Sequence, residues 1–296
     1  MRVAFIGFGE AGQALCEGFR SEGVSSIAAW DILFPDAARG APLRAAAERI
    51  GVRIARDAVD AVRGADVVFA AVTADSNLDA ARDAAPGMKA GQFYVDLNSV
   101  SPKRKRVAAQ IAGQQARFVG MAVMAPIHPL RHKTPVLVSG PGAASIVPVL
   151  RGCGMDIGDV GADPGAATAI KMVRSVMIKG FAALMQECFL AARRAGVEDR
   201  IIASLTQSFP MLDWANLVDY NMERMATHGL RRAAEMREVC ETLEELGVEP
   251  ALTRGTVVRE QRTGDARLRD KFGGTVPEDR AAIFEALEEK RPGTLV

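Results

Sequence analysis

The sequence carries almost no net charge. Its 37 Lys and Arg stand against 36 Asp and Glu, a formal +1 at pH 7. A general nucleic-acid binder would show a strong basic excess, so none is expected; a local basic pocket for a small anion stays open. Cysteine is scarce, with four in 296 residues. Cys16, Cys153, Cys188 and Cys240 are far apart, with no CxxC and no zinc-ligand spacing. Reduced, mostly buried thiols in a cytoplasmic protein without a metal site are the expectation. No charged leader with an apolar signal core precedes the first strand-like segment. The longest uncharged stretch, 134–150, contains Pro135, Gly140, Pro141, Gly142 and Pro148. These residues break a spanning helix, so no membrane protein is expected.

What is there is ordinary globular composition, 49% apolar and 25% charged, at a length that suggests two domains. Short β-branched runs at 2–6, 26–30, 52–55, 67–72, 92–97, 118–124 and 136–139 alternate with helical patterns at 12–22, 42–50, 57–63, 78–85 and 102–114. The run Val67-Val-Phe-Ala-Ala-Val72 is apolar throughout, as a strand buried on both faces must be. Alternation of this kind implies βαβ units and a doubly wound, parallel α/β sheet. Near residue 161 the strand signals stop. Asp163 and Pro164 can start a helix running over 166–195, and Gly196 can end it. Its side chains are apolar nearly all round, which predicts the buried central helix of an all-helical domain. Further helices are expected at 198–208, 210–226, 229–246, 250–262 and 277–290. The expected domains are therefore 1–161 and 162–296, with a charged, Gly-rich tail over 263–296. The helical domain is expected to form a homodimer.

Gly7-Phe8-Gly9-Glu10-Ala11-Gly12 is a GxGxxG that directly follows the first strand and opens the first helix. Gly7 allows a tight turn, Gly9 lets a pyrophosphate approach the backbone, and Gly12 lets the helix pack closely. The helix N-terminus then offers N–H groups and a positive dipole end to the phosphates. Asp31 ends the second strand, 19 residues after Gly12. A carboxylate there accepts hydrogen bonds from the adenosine ribose hydroxyls and repels a 2′-phosphate. Ile32 and Leu33 provide no Arg for such a phosphate. The fingerprint predicts a Rossmann-type domain binding NAD rather than NADP. Val72 and Thr73, after the fourth strand, should pass near the nicotinamide ribose.

Asp96-Leu-Asn-Ser-Val-Ser-Pro102 follows the fifth strand and sets Asn98 and Ser99 at the mouth of the sheet. They could hold a substrate carboxylate and the nicotinamide edge. Lys171 lies early in the long helix among apolar residues, with Ser175 and Lys179 following at i+4 and i+8. Two readings stay open. Desolvation could tune Lys171 to exchange a proton with a substrate oxygen, or the lysines could snorkel or pair with acids.

The order of GxGxxG, DLNSVSP, a strand ending near Met124 and KxxxS resembles the β-hydroxyacid dehydrogenases, the 3-hydroxyisobutyrate and 6-phosphogluconate enzymes among them. The resemblance covers residues 1 to about 260. It implies Lys171 as general acid/base, Asn98 and Ser99 in the segment contacting substrate and nicotinamide, and hydride transfer with a small hydroxy acid. This sequence departs from the pattern in places. Ser175 stands where the family usually has Asn. The stretch Gly120 to Pro126 replaces a glycine-bearing substrate motif, leaving Met124, Ala125 and Pro126 as pocket candidates. Lys179, His132 and, on a later helix, His228 and Arg231 are further candidate substrate contacts. The departures resemble a less characterised subgroup with a distinct C-terminal domain. Two rival readings are an NADPH-dependent imine reductase and a non-catalytic NAD(H)-responsive regulator.

Overall fold

A computed structural model describes residues 1–288. Its backbone divides into two compact units, the first over Met1–Met172 and the second from Val173 onward. The division falls inside the long helix, so the first turns of that helix, with Lys171, belong to the first unit.

The first unit is built on one eight-stranded sheet. Its strands are β1 (Arg2–Ile6), β2 (Ser26–Trp30), β3 (Arg53–Ile54), β4 (Val67–Ala70), β5 (Phe93–Asp96), β6 (Arg117–Val123), β7 (Val136–Ser139) and β8 (Ile157–Asp159). The helices between them are α1 (Glu10–Ser21), α2 (Ala41–Ile50), α3 (Ala58–Val62), α4 (Asn77–Ala84), α5 (Pro102–Ala112) and α6 (Ala143–Arg151). The sheet order is β3-β2-β1-β4-β5-β6-β7-β8. From β1 the chain winds outward through β2 and β3, then returns to β4 and winds the other way. This puts the topological switch point between β1 and β4, where such sheets open a crevice at their C-terminal edge. β1 to β6 are parallel, as the apolar runs require. β7 pairs antiparallel with β6, and β8 is parallel to β7. That reversal and the short β8 are absent from the sequence expectation. So is α6, which incorporates Pro148. One core lies on each face of the sheet. Phe5, Phe19 and Phe69 anchor one, and an alanine-rich layer around Tyr94 and Phe118 fills the other.

The long helix α7 (Ala166–Arg194) starts on the sheet unit, where Ser139 Oγ accepts the Ala167 N–H at 3.1 Å and donates to the Pro164 carbonyl at 3.2 Å. By length and composition α7 could cross a membrane, and 44% of its most apolar window is buried in the protein. It is less enclosed than its composition suggests, because Val173, Met177, Ile178 and Leu184 are exposed.

The second unit continues α7 with α8 (Glu198–Ser208), α9 (Trp214–Glu245), α10 (Ala251–Asp265), α11 (Leu268–Lys271) and α12 (Arg280–Glu288). The expected pair of helices over 210–226 and 229–246 is a single helix, α9. Gly229 does not end it. A Cβ there would lie 2.7 Å from the Glu260 carbonyl oxygen, so the glycine lets α10 cross closely. Thr263–Asp265 ends α10, and the described remainder of the expected tail carries two short helices, α11 and α12, joined by a non-helical stretch over 272–279; residues 289–296 lie outside the described residues.

Candidate active site

Three loops meet at the C-terminal edge of the sheet. The first follows β1. Gly7 has φ +90, and a Cβ on it would lie 2.3 Å from the Ala71 carbonyl oxygen, so only glycine passes here. Gly9 differs, since a Cβ there would meet nothing within 4 Å. It is exposed, and as the N-cap of α1 it provides no side-chain acceptor for the first-turn N–H groups. An open cradle over a helix N-terminus is what a pyrophosphate needs. Asp31 completes it. Its Oδ2 accepts the Phe8 N–H at 2.7 Å and its Oδ1 accepts the Leu33 N–H at 2.9 Å. The carboxylate is thus tied to the glycine turn, with lone pairs left for ribose hydroxyls. These residues fit a dinucleotide.

The second loop follows β4. Val72 packs against Gly7, and its N–H donates to Asn98 Oδ1 at 2.7 Å. Thr73 is exposed and hydrogen-bonded to Ser76.

The third loop follows β5 and carries the chemistry. Asp96 is fully buried. Its Oδ1 accepts from the Asn98 N–H at 2.9 Å and from Asn98 Nδ2 at 2.7 Å. Asn98 is therefore held at both ends of its amide by the protein. Ser99 is half-buried, and Lys171 Nζ lies 2.7 Å from its Oγ. The Lys171 end is fixed as well, since Thr168 Oγ1 donates to the Val100 carbonyl at 2.8 Å and Gly165 lets the chain pass Pro102. The structure brings Gly7, Asp31, Val72, Asn98, Ser99 and Lys171 onto one edge.

Other candidates sit elsewhere or in other company. His132 is buried against Gly18 and hydrogen-bonded to Glu22 at 3.2 Å, at the opposite end of α1 from the glycine turn. Lys179 is buried and ion-paired with Glu235 at 2.5 Å. His228 is partly buried on α9, its pKa pushed down to about 4, first by burial and then by Arg224, Arg231, Arg232 and Arg269. Met124 is half-buried, Ala125 and Pro126 are exposed, and Ser175 is buried one turn after Lys171. Among the described residues no group of three or more His, Cys, Asp or Glu could hold a metal ion.

Sequence reasoning missed Lys105 and Asn77. Lys105 stands in Lys103-Arg-Lys-Arg106, which reads as a solvated basic face, yet it is fully buried against Asp96. A signal existed. Pro102, Lys105, Ala108 and Ala112 share one helical face, and the other three are apolar.

Comparison with known proteins agrees with this layout. Residues 2–99 match a family model described as NADP oxidoreductase, coenzyme F420-dependent, and residues 192–263 match a domain of unknown function, DUF1932. A conserved hypothetical protein from Sinorhizobium meliloti 1021 is 37% identical, with 98% of this chain and 96% of that one covered at a TM-score of 0.76. A conserved protein of unknown function, reported as structurally similar to 3-hydroxyacid dehydrogenases, is 31% identical over 91% of this chain and 99% of its own, with a TM-score of 0.72. The chain belongs to the β-hydroxyacid dehydrogenase family. Within that family its helical domain is of a distinct type. The fold is shared with a 3-hydroxyisobutyrate dehydrogenase from Mycobacterium tuberculosis, solved with L-serine, at 17% identity and a TM-score of 0.72 over 97% of this chain and 99% of that one. The matched oxidoreductase model and the glycine turn it covers make this chain a dinucleotide-dependent oxidoreductase.

Proposed function

We propose that this chain transfers a hydride reversibly between NAD and the hydroxyl-bearing carbon of a small hydroxy acid, with Lys171 as general acid/base. The observation that carries the reading is the 2.7 Å contact between Lys171 Nζ and Ser99 Oγ on the edge that also holds the glycine turn. A bound nicotinamide supplies the hydride acceptor or donor. During oxidation Lys171, in its neutral form, takes the hydroxyl proton as the C–H electron pair leaves with its hydrogen. During reduction Lys171 returns that proton to the new alkoxide oxygen. Ser99 orients Nζ, Asn98 holds the loop beneath the substrate, and Ser175 offers a hydroxyl one turn along. Half-buried Met124 gives the pocket an apolar wall.

NAD is proposed over NADP because Asp31 occupies the ribose position and the next side chain, Ile32, is apolar and exposed. A homodimer through the helical unit is proposed because α7 leaves Val173, Met177, Ile178 and Leu184 uncovered. Turnover in the cytoplasm fits the four free cysteines, although only Cys16 is buried, Cys153 and Cys240 being half-buried and Cys188 exposed, against the mostly buried thiols expected of the sequence.

The test is an NAD-linked screen across short hydroxy acids, phosphorylated sugar acids and aromatic hydroxy acids, run in both directions. Turnover of a hydroxy acid supports the proposal. Tight NADH binding without turnover of any of them contradicts it and favours a regulatory role, and turnover of imines with NADPH favours the reductase reading.

A further inference from the structure

Lys105 on α5 is 0% exposed, and lysine is almost never buried completely unless paired. Its Nζ donates to Asp96 twice, to the main-chain carbonyl at 2.6 Å and to Oδ1 at 2.9 Å. Asp96, the last residue of β5, is equally buried. Removing two charges from water costs enough that the pair gives no simple stability argument. Its local effect shows in the other bonds of the carboxylate. Oδ1 also accepts from the Asn98 N–H and from Asn98 Nδ2. Oδ2 accepts from Asn77 Nδ2 at 2.8 Å. Asn98 Oδ1 in turn accepts from the Val72 N–H. One buried carboxylate therefore pins the chain after β5 and, through Asn98, ties it to the chain after β4. The next residue is Ser99.

We propose that Lys105 is a positioning residue for Lys171. By holding Asp96 it keeps residues 97–101 in the conformation that presents Ser99 Oγ to Lys171 Nζ. Lys105 has no solvent-facing surface, so it acts only through Asp96 and the loop. Without the ammonium, Asp96 would be a buried carboxylate short of a counter-charge. It would turn to other donors, and Asn98 would lose its fixed acceptor. Burial pushes the Lys105 pKa down while Asp96 pushes it back up, so the ammonium depends on the carboxylate just as the carboxylate depends on it. The catalytic meaning of this proposal rests on the reading of Lys171 as the proton-transfer group; the structural coupling does not.

The experiment compares wild type, Lys105→Met, and the charge-neutral pair Lys105→Met with Asp96→Asn, each with isotopically labelled lysine. The Lys171 side-chain signal is assigned by its loss in Lys171→Arg. Three quantities are read: that signal without substrate, NADH affinity, and kcat and KM on the best hydroxy acid. Both variants should move the Lys171 signal while NADH affinity stays within about fivefold. Where a substrate is turned over, kcat should fall at least ~10-fold and more than KM rises, as expected from a misplaced catalytic group. Lys105→Gln, which keeps an N–H donor, should recover part of the loss. If Lys105→Met does not fold, the neutral pair leaves no uncompensated buried charge and decides alone. An unmoved Lys171 signal in a folded variant overturns the proposal. A wild type that turns over no hydroxy acid defeats the functional reading instead, and the Lys171 signal still decides the coupling.

Discussion

The Nζ of Lys171 and the Oγ of Ser99 lie 2.7 Å apart, although 72 residues separate them in sequence. Lys171 rides on the first turns of α7, and Ser99 follows the carboxyl end of β5. The contact is made within the sheet unit alone. Its two partners come from the two motifs the sequence singles out for chemistry, and each is anchored by a neighbour, Thr168 on one side and Asn98 on the other.

The two glycines of the first turn should fail differently. Ala at Gly7 adds left-handed strain and a Cβ 2.3 Å from the Ala71 oxygen. The expected cost is ~3 kcal/mol, or about 6–12 °C in melting temperature. Ala at Gly9 meets no protein atom within 4 Å. Its melting temperature should stay within about 2 °C while NADH affinity falls at least ~10-fold, because the methyl enters the space a pyrophosphate would use. Thermal melts and fluorescence titrations of both variants check this. Equal effects on folding and binding would contradict the division of roles.

Asp31 should decide between the two dinucleotides. Asp31→Ser removes the charge that repels a 2′-phosphate and the acceptor for ribose hydroxyls. The NADH-to-NADPH preference should drop by at least ~10-fold, about 1.4 kcal/mol. Some stability should be lost too, since Phe8 and Leu33 lose an acceptor. An unchanged preference would place the adenosine ribose away from Asp31.

The helical unit carries a buried ion pair with a readable pH dependence. Arg232 Nε donates to Glu260 Oε1 at 2.7 Å, and the Glu260 side chain is fully enclosed. Burial holds the Glu260 carboxyl above its ordinary 4.5, with Arg232 as the main opposing influence. Between 4.5 and the raised folded value the folded state keeps a proton that the unfolded chain has lost. Stability contributed at this site therefore falls as pH rises through that window. Arg232→Met removes the opposing charge, raises the folded value further and widens the window upward. Its cost should reach ~3–5 kcal/mol near neutral pH and shrink towards acid. Denaturant melts at several pH values measure it, and the pair Arg232→Met with Glu260→Leu should recover most of the loss. A cost independent of pH would show that packing dominates.

Much of the sheet unit is legible in the sequence because its signals are local. β1, the glycine turn, α1, β2 and Asp31 follow from an apolar run, a spacing and a carboxylate at a strand end. α7 follows from composition and caps, and Gly196 at φ +67 ends it as expected. What escapes is non-local. The Lys171–Ser99 contact and the Asp96–Lys105 pair need the tertiary fold to bring them together. The expected break between 226 and 229 falls beside Gly229, and only the crossing of α10 reveals that glycine as a packing site inside one continuous helix. His132 lies next to the altered substrate motif in sequence, but the chain from Met124 to Pro135 carries it back to the far end of α1. Proximity along the chain did not survive folding there. α6 and β8 are missed because prolines and glycines dominate that stretch and β8 is only three residues long.

The role of Lys171 is tested most directly by Lys171→Ala on the best hydroxy acid from the screen. Steady-state kinetics should be read beside NADH binding. Turnover should fall by ~10²–10⁴-fold while NADH affinity and melting temperature hold. A Lys171→Ala variant that binds NADH normally and retains near-normal turnover would contradict the account.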